Sequence, residues 1–218
     1  LPIYDFPDIW QNTTYLASFL KVLLGFIVII SVNNDLSYLT LRQNVIDGIS
    51  KREFVLSKVS LILFLGLVSS LFLFLSGLLN GSIYSSVHGA RYVFDELEFI
   101  AAYFFDIVVF CSLAFLVSLI IKKSGFAIIA LFLYTLMFEP IVTTLFEHHP
   151  KLDDSFWESI APYFPVEAMN NLIPGPFPKY IFREIIDNVP LKAVLICTGW
   201  LAIYMGAIYY RLTKRDLK

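Results

Sequence analysis

Five apolar stretches of about 20 residues each, set apart by short polar segments, leave this chain very few folds to choose from. They cover residues 15–32, 55–79, 97–121, 125–146 and 191–210. A helix of about 20 residues, rising 1.5 Å per residue, is as long as the hydrocarbon layer of a bilayer is thick. Only helices or a closed barrel satisfy backbone polar groups in lipid, and continuous rather than alternating apolar runs select helices. The expectation is an all-α integral membrane protein, a polytopic helical bundle with one transmembrane domain over residues 1–218. Composition agrees: 58% of residues are hydrophobic and 16% charged, against roughly half and a quarter in soluble domains. The formal charge of −2 offers no basic patch of the kind nucleic-acid binding needs, so that class is set aside. Cys111 and Cys197 both fall inside apolar runs and read as small packing residues rather than as a disulfide or metal pair.

Orientation follows from the basic residues. Arg42, Lys51, Arg52 and Lys58 surround the first turn between runs, Lys122 and Lys123 form the third, and Arg211, Lys214, Arg215 and Lys218 close the chain. These regions alternate correctly to share one side, predicted to be the cytoplasm. The other side receives the loop 80–96 and the long segment 147–190, where acids outnumber bases. Residue 1 then lies outside, with no signal peptide to carry it there. That odd parity predicts an earlier span, six in the full subunit.

The segment 33–54 is too patterned for a plain connection. At 100° per residue Leu36, Tyr38, Leu39, Val45, Ile46 and Ile49 share one face, with Thr40, Asn44 and Asp47 opposite, although Arg42 and Gln43 intrude on the apolar side. That reads as a helix lying in the membrane interface. Gly48 supplies a stop, and Ser50-Lys51-Arg52-Glu53 has the spacing of a capping box that opens the next helix. Sequence physics leaves two readings open: a surface anchor, or a rigid knob presented to a cytoplasmic partner.

The run Leu41-Arg42-Gln43-Asn44-Val45-Ile46-Asp47-Gly48-Ile49-Ser50-Lys51-Arg52-Glu53-Phe54, followed by Lys58, resembles the cytoplasmic signature of type 2 ABC transporter permeases. There an arginine-bearing amphipathic helix leads through a glycine to an Ile-Ser-Arg-like triplet, and a lysine opens the next span. Lys51 stands where that family often has another residue. The basic pair between two spans, the long segment before the last span and the basic tail at 211–217 extend the likeness along nearly the whole chain. The resemblance implies a bacterial cytoplasmic (inner) membrane subunit, working as a homo- or heterodimer with two cytoplasmic ABC ATPase subunits that bind ATP and Mg. This chain would bind no cofactor and carry no enzyme activity, and it has no Gly-x-x-x-x-Gly-Lys-Ser/Thr phosphate loop. Arg42, Asp47, Gly48, Ser50, Lys51, Arg52 and Glu53 are then the candidates for coupling to the ATPase. The implied activity is movement of a hydrophobic or amphipathic substrate, in the export direction, along the permease interface.

Lys21, Asp106 and Glu139 lie within apolar runs, where each costs roughly 2.5–3.5 kcal/mol to insert. Counted from the predicted external ends they sit ~9, ~13 and ~11 Å deep, so a paired cluster in the bundle interior is one expectation. The other is that Lys21 snorkels, Asp106 bonds a neighbouring helix and Glu139 serves backbone freed by Pro140. The aromatic and proline-rich segment 147–190 predicts short helices near 155–160, 166–171 and 178–188 on or in the outer leaflet. In the resembling family this position carries re-entrant helices. His148, His149, Asp153 and Asp154 could be drawn as a metal site, but a solvated loop is the default and no metal is assigned. Asn12-Thr13-Thr14 matches a glycosylation sequon. Two other classes remain: a non-transporting assembly subunit with the same elbow, and an intramembrane enzyme, for which neither His-Glu-x-x-His nor Gly-x-Ser-x-Gly is present.

Overall fold

The computed structural model describes residues 4–37, 50–86, 89–148, 160–176 and 188–214, and these are helical, with no strand among them. In chain order the helices are α1 (Ile9–Ser18), α2 (Lys21–Ser37), α3 (Lys51–Tyr84), α4 (Ala90–Phe94), α5 (Glu98–Ile120) and α6 (Ser124–Leu133). A π turn (Tyr134–Phe138) leads into α7 (Glu139–His148). After a 3-10 turn (Ala161–Tyr163) come α8 (Pro165–Asn170) and α9 (Leu191–Lys214).

Four of the expected runs become helices long and apolar enough to cross a membrane: Lys51–Tyr84, Arg91–Ile120 (α4 and α5 together), Ser124–Leu145 and Leu191–Leu212. The first run corrects the sequence reading. It is not one helix over 15–32 but a broken pair, α1 and α2, bent by 45°.

Helix α5 is the axis of the bundle. It is apolar all round, the mark of a helix enclosed on every side, and Phe99, Ile107, Phe110 and Phe115 are fully buried. Helices α2, α3 and α9 pack around it. Helix α3 is one-sided instead: Phe54, Lys58, Ile62, Gly66, Ser70, Gly77 and Gly81 face inward, mostly one every fourth residue, which is one stripe of a 3.6-residue helix. Phe64, Leu67, Phe72 and Leu79 on its other side stay exposed.

The small residues of that stripe admit α1. A Cβ at Gly77 would lie 2.6 Å from the Trp10 ring, and one at Gly81 would collide with Phe6. Trp10 also stacks on Phe74, centroids 5.6 Å apart, and its indole N–H donates to Val93 O at 2.9 Å. Past the end of α3, the Phe6 N–H donates to Ser85 Oγ. Asp5 Oδ1 accepts from the Ser86 N–H (2.7 Å) and hydroxyl (2.9 Å). Those Ser86 bonds hold the Asp5 carboxyl below the usual aspartate range. Because the folded value is the lower one, the tie is present above the ordinary aspartate pKa and is lost as pH falls through the depressed value. Hydrogen exchange at Ser86 and the start of α1 should therefore be slow at neutral pH and speed up selectively only once the pH has fallen below the ordinary aspartate pKa, and Asp5→Asn should remove that pH step.

The two ends of the bundle are tied differently. At the elbow end Lys58 Nζ lies 2.6 Å from Asp35 Oδ2 and donates to Ser31 O and Oγ at 3.2 and 2.8 Å, joining α3 to the last turns of α2. Asn33 Nδ2 donates to Ile121 O, and Arg52 Nη2 reaches Tyr209 OH at 3.5 Å. The basic groups Lys51, Arg52, Lys122, Lys123 and Arg211 thus gather at one end. At the far end Gln11 Nε2 donates to Pro174 O, Val189 N–H to Glu98 Oε1 and Trp200 Nε1 to Tyr163 O.

The capping box at Ser50 is present as its spacing predicts. Ser50 Oγ accepts from Glu53 N–H at 3.3 Å, and Glu53 Oε2 accepts from Ser50 N–H at 2.6 Å, so two otherwise idle N–H groups of the first turn are used. Ser50→Ala should cost about 0.5–2 kcal/mol, read as earlier fraying of residues 51–54 by hydrogen exchange. The amphipathic segment before it, with Arg42, Asp47 and Gly48, lies outside the described residues.

Candidate functional site

Three interrupted elements meet in the half of the bundle nearer the far end. The first is the junction of α1 and α2. Thr13 and Thr14 hydroxyls donate to Ile9 O and Trp10 O, both at 2.6 Å, and Ser18 Oγ to Tyr15 O at 2.7 Å. Side-chain bonds of this kind pull carbonyls out of the helical ladder and bend helices. The backbone then tightens, with Leu20 N–H to Ala17 O and Leu23 N–H to Leu20 O, and α2 restarts at Lys21 in a new direction.

That turn aims Lys21 at α5. Its Nζ lies 2.9 and 3.1 Å from the two oxygens of Asp106, and it sits 5.8 Å from the Phe110 ring centroid. Lys21 is 4% exposed and Asp106 0%, so the charges are removed from solvent as a pair, which is what makes burial tolerable. Gly25, one turn on, brings α2 close: a Cβ there would stand 2.7 Å from Phe110 and 3.2 Å from Leu131.

The second interruption is the π turn and Pro140. Proline cannot donate to the carbonyl one turn back, and π segments are a usual place for a helix to absorb such a fault. Thr135 Oγ1 takes Leu131 O, and Thr143 Oγ1 takes Glu139 O. The Glu139 side chain does not serve the kink. Its Oε1 accepts the N–H groups of Val166 and of Glu167 (2.9 Å), the opening N–H groups of α8, whose own cap residue Phe164 supplies no side-chain acceptor. One carboxylate on a long helix therefore holds the third interrupted element, the short segment 161–170. The expected cluster of three charges is thus a bonded pair, Lys21–Asp106, with Glu139 bonded instead to the opening N–H groups of α8. The Tyr134 hydroxyl also interacts with Glu139, yet Oε2 is buried without a well-formed hydrogen bond, as is Tyr204 OH.

Between these elements is a cavity of about 250 Å³. Phe19, Val22, Leu136, Met169 and Ile173 give it apolar walls, and Lys21 with Ser18 and Asn170 its polar part. It is smaller than the 300–1,000 Å³ of drug-sized sites, so it suits a single chain or side chain.

The other sequence candidates distribute as follows. Ser50, Arg52 and Glu53 are exposed at the elbow end and Lys51 partly so, ~27 Å along the helices from the buried pair at 1.5 Å per residue. Cys111 and Cys197 are buried free thiols within the packing. His149, Asp153 and Asp154 lie outside the described residues, and among the described ones no three His, Cys, Asp or Glu gather as metal ligands. Asn12 is 92% buried within α1, so the sequon is inaccessible in this fold. The helix expected at 166–171 is α8, while those at 155–160 and 178–188 fall almost wholly outside the described residues. Sequence reasoning missed the hinge before Lys21 and the Glu139–α8 bond; only the cluster Thr13, Thr14, Ser18 hinted at the former.

A family model described as a protein of unknown function matches residues 3–217. No curated protein and no solved structure matches the chain.

Proposed function

We propose that this chain, which belongs to the DUF2705 family, is the membrane-embedded permease subunit of an ABC-type transporter that moves a hydrophobic or amphipathic substrate, driven by separate cytoplasmic ATPase subunits. The exposed apolar faces of α3, α6 and α9 favour lipid as their solvent. The gathering of described Lys and Arg at the elbow end favours that end as cytoplasmic.

The observation that carries the reading is the capped corner at Ser50–Glu53, from which α3 runs for 34 residues without interruption, in a sequence context resembling the permease coupling segment. Mechanically α3 is a lever. The Lys58–Asp35 tie lies ~12 Å from Ser50 and ~39 Å from Tyr84 at helical rise. A push on the short arm, pivoting at Lys58, would be enlarged about threefold at the far end, where α3 carries α1. Helix α2 meanwhile is keyed to α5 through Lys21–Asp106 and Gly25. The hinge at Phe19–Leu20 joins the two mountings, so motion of α3 against α5 would flex it and reshape the cavity beside it.

Affinity purification of the intact assembly under mild detergent tests this. A stoichiometric ATP-binding subunit is the expected companion, with ATP turnover stimulated by a transported compound. A bound ATPase whose turnover no substrate changes would favour a non-transporting assembly subunit; no ATPase at all would refute the proposal.

A further inference from the structure

We infer that Arg211, with the Lys122–Lys123 turn beside it, holds the phosphate of an anionic phospholipid where α5 and α9 end. The inference rests on the membrane reading of the fold and is independent of ATP coupling.

Arg211 is placed where plain solvation does not satisfy it. It follows Tyr204 by two turns and lies between Ile208 and Leu212 on the helix surface, all three buried, so it belongs to the stripe that α9 turns toward the bundle. Its Nε is buried and has no hydrogen-bond partner among the described residues. Acids are not at hand to match it. Among the described residues at this end, Asp35 is held by Lys58 and Glu53 by the cap at Ser50, while Arg211, Lys122 and Lys123 form no ion pair. A guanidinium N–H withheld from both water and an acceptor is costly, and the planar fork that carries it matches the oxygens of a phosphate.

Depth selects the source of that phosphate. Helices α5 and α9 pack together and run in the same direction from the tie between Glu98 and Val189. Counted at 1.5 Å per residue from that tie, Ile120 and Arg211 both come ~33 Å along, just past the roughly 30 Å of hydrocarbon in a bilayer. Tyr209 and Tyr210, both exposed, stand immediately before Arg211, where an interfacial aromatic belt belongs. Lys122 and Lys123 follow α5 at the same level. The Lys123 ammonium lies 5.9 Å from the Phe126 ring centroid, and Phe126 is an exposed side chain on the first turn of α6. The cations therefore border lipid at headgroup level, where the anions within reach are lipid phosphodiesters. Arg52 serves another side of α9: it reaches Tyr209, ~200° round the helix from Arg211, which leaves the capped corner to a protein partner.

Phosphatidylglycerol and phosphatidylcholine with identical chains share the phosphodiester and differ in net charge. Native mass spectrometry of the purified, delipidated full-length chain titrated with each should show one phosphatidylglycerol retained at least about tenfold more tightly. Arg211→Gln should remove most of that preference, Lys122→Gln with Lys123→Gln part of it, and Arg52→Gln little. Arg211→Lys keeps the charge without the fork and should fall between wild type and Arg211→Gln. Equal retention of the two lipids by the wild type would overturn the site even if no variant folds. So would a preference that survives Arg211→Gln, or one that Arg52→Gln weakens as much, the mark of a diffuse surface attraction. Failure to find an ATPase partner would leave this result untouched, and absence of a lipid preference would leave the coupling corner untouched.

Discussion

Lys21→Ala should destabilise the protein by about 3–5 kcal/mol, and Asp106→Ala by a similar amount, because each leaves the other's charge buried without a partner. Asp106 is wholly enclosed on the most buried helix of the bundle, so water cannot reach it without the packing opening. The pair Lys21→Met with Asp106→Leu should cost much less than either alanine variant, since two apolar side chains of similar volume need no charge partner. Reversible unfolding in mild detergent, arranged as a double-mutant cycle, reads this directly. A coupling energy of several kcal/mol is expected; strictly additive losses would show that the two groups do not depend on each other. The loss should also loosen the hinge, because Lys21 is the residue through which α2 holds α5 just beyond the bend.

Trp10→Ala should cost about 3–5 kcal/mol, as for other fully buried aromatics, and Gly77→Ala about 1–3 kcal/mol through overpacking. The second value is the more telling, since alanine in place of glycine inside a helix ordinarily stabilises by about 0.5–1 kcal/mol. Gly199 and Gly206 on α9, with nothing within 4 Å of a built Cβ, should show that ordinary gain. At Gly77 the Trp10 ring is in the way, and its stack on Phe74 and bond to Val93 leave it little room to retreat. Opposite signs at Gly77 and Gly206 would establish α1 as a passenger of α3; equal effects would remove the seam between them.

Much of this architecture is legible from patterns within one element. The lengths of the apolar runs mark α3, α5, α6 with α7, and α9, because lipid-length helices leave an uninterrupted signal. Ser50 and Glu53 reveal the cap three residues apart, a purely local relation. Pro165 and the residues after it announce α8 for the same reason. Relations between distant segments are what the chain conceals. Lys21 and Asp106 invite pairing by matching depth and opposite sign, and they do pair, but the same logic drew in Glu139, whose carboxylate instead meets backbone N–H groups that have no sequence signature. The bend at Phe19–Leu20 contains neither proline nor glycine, and hydropathy runs straight through it. Only hydroxyls spaced to bond back one turn mark the place, and such residues also occur in straight helices.

The corner at Ser50–Glu53 is where the proposed function stands or falls, and a photo-crosslinking side chain at Arg52, in cells expressing the intact assembly at native level, interrogates it most directly. Irradiation is expected to join Arg52 covalently to a cytoplasmic ATP-binding subunit, with a yield that changes when nucleotide is depleted. Crosslinks to lipid alone, or to no protein other than a second copy of this chain, would contradict the permease reading.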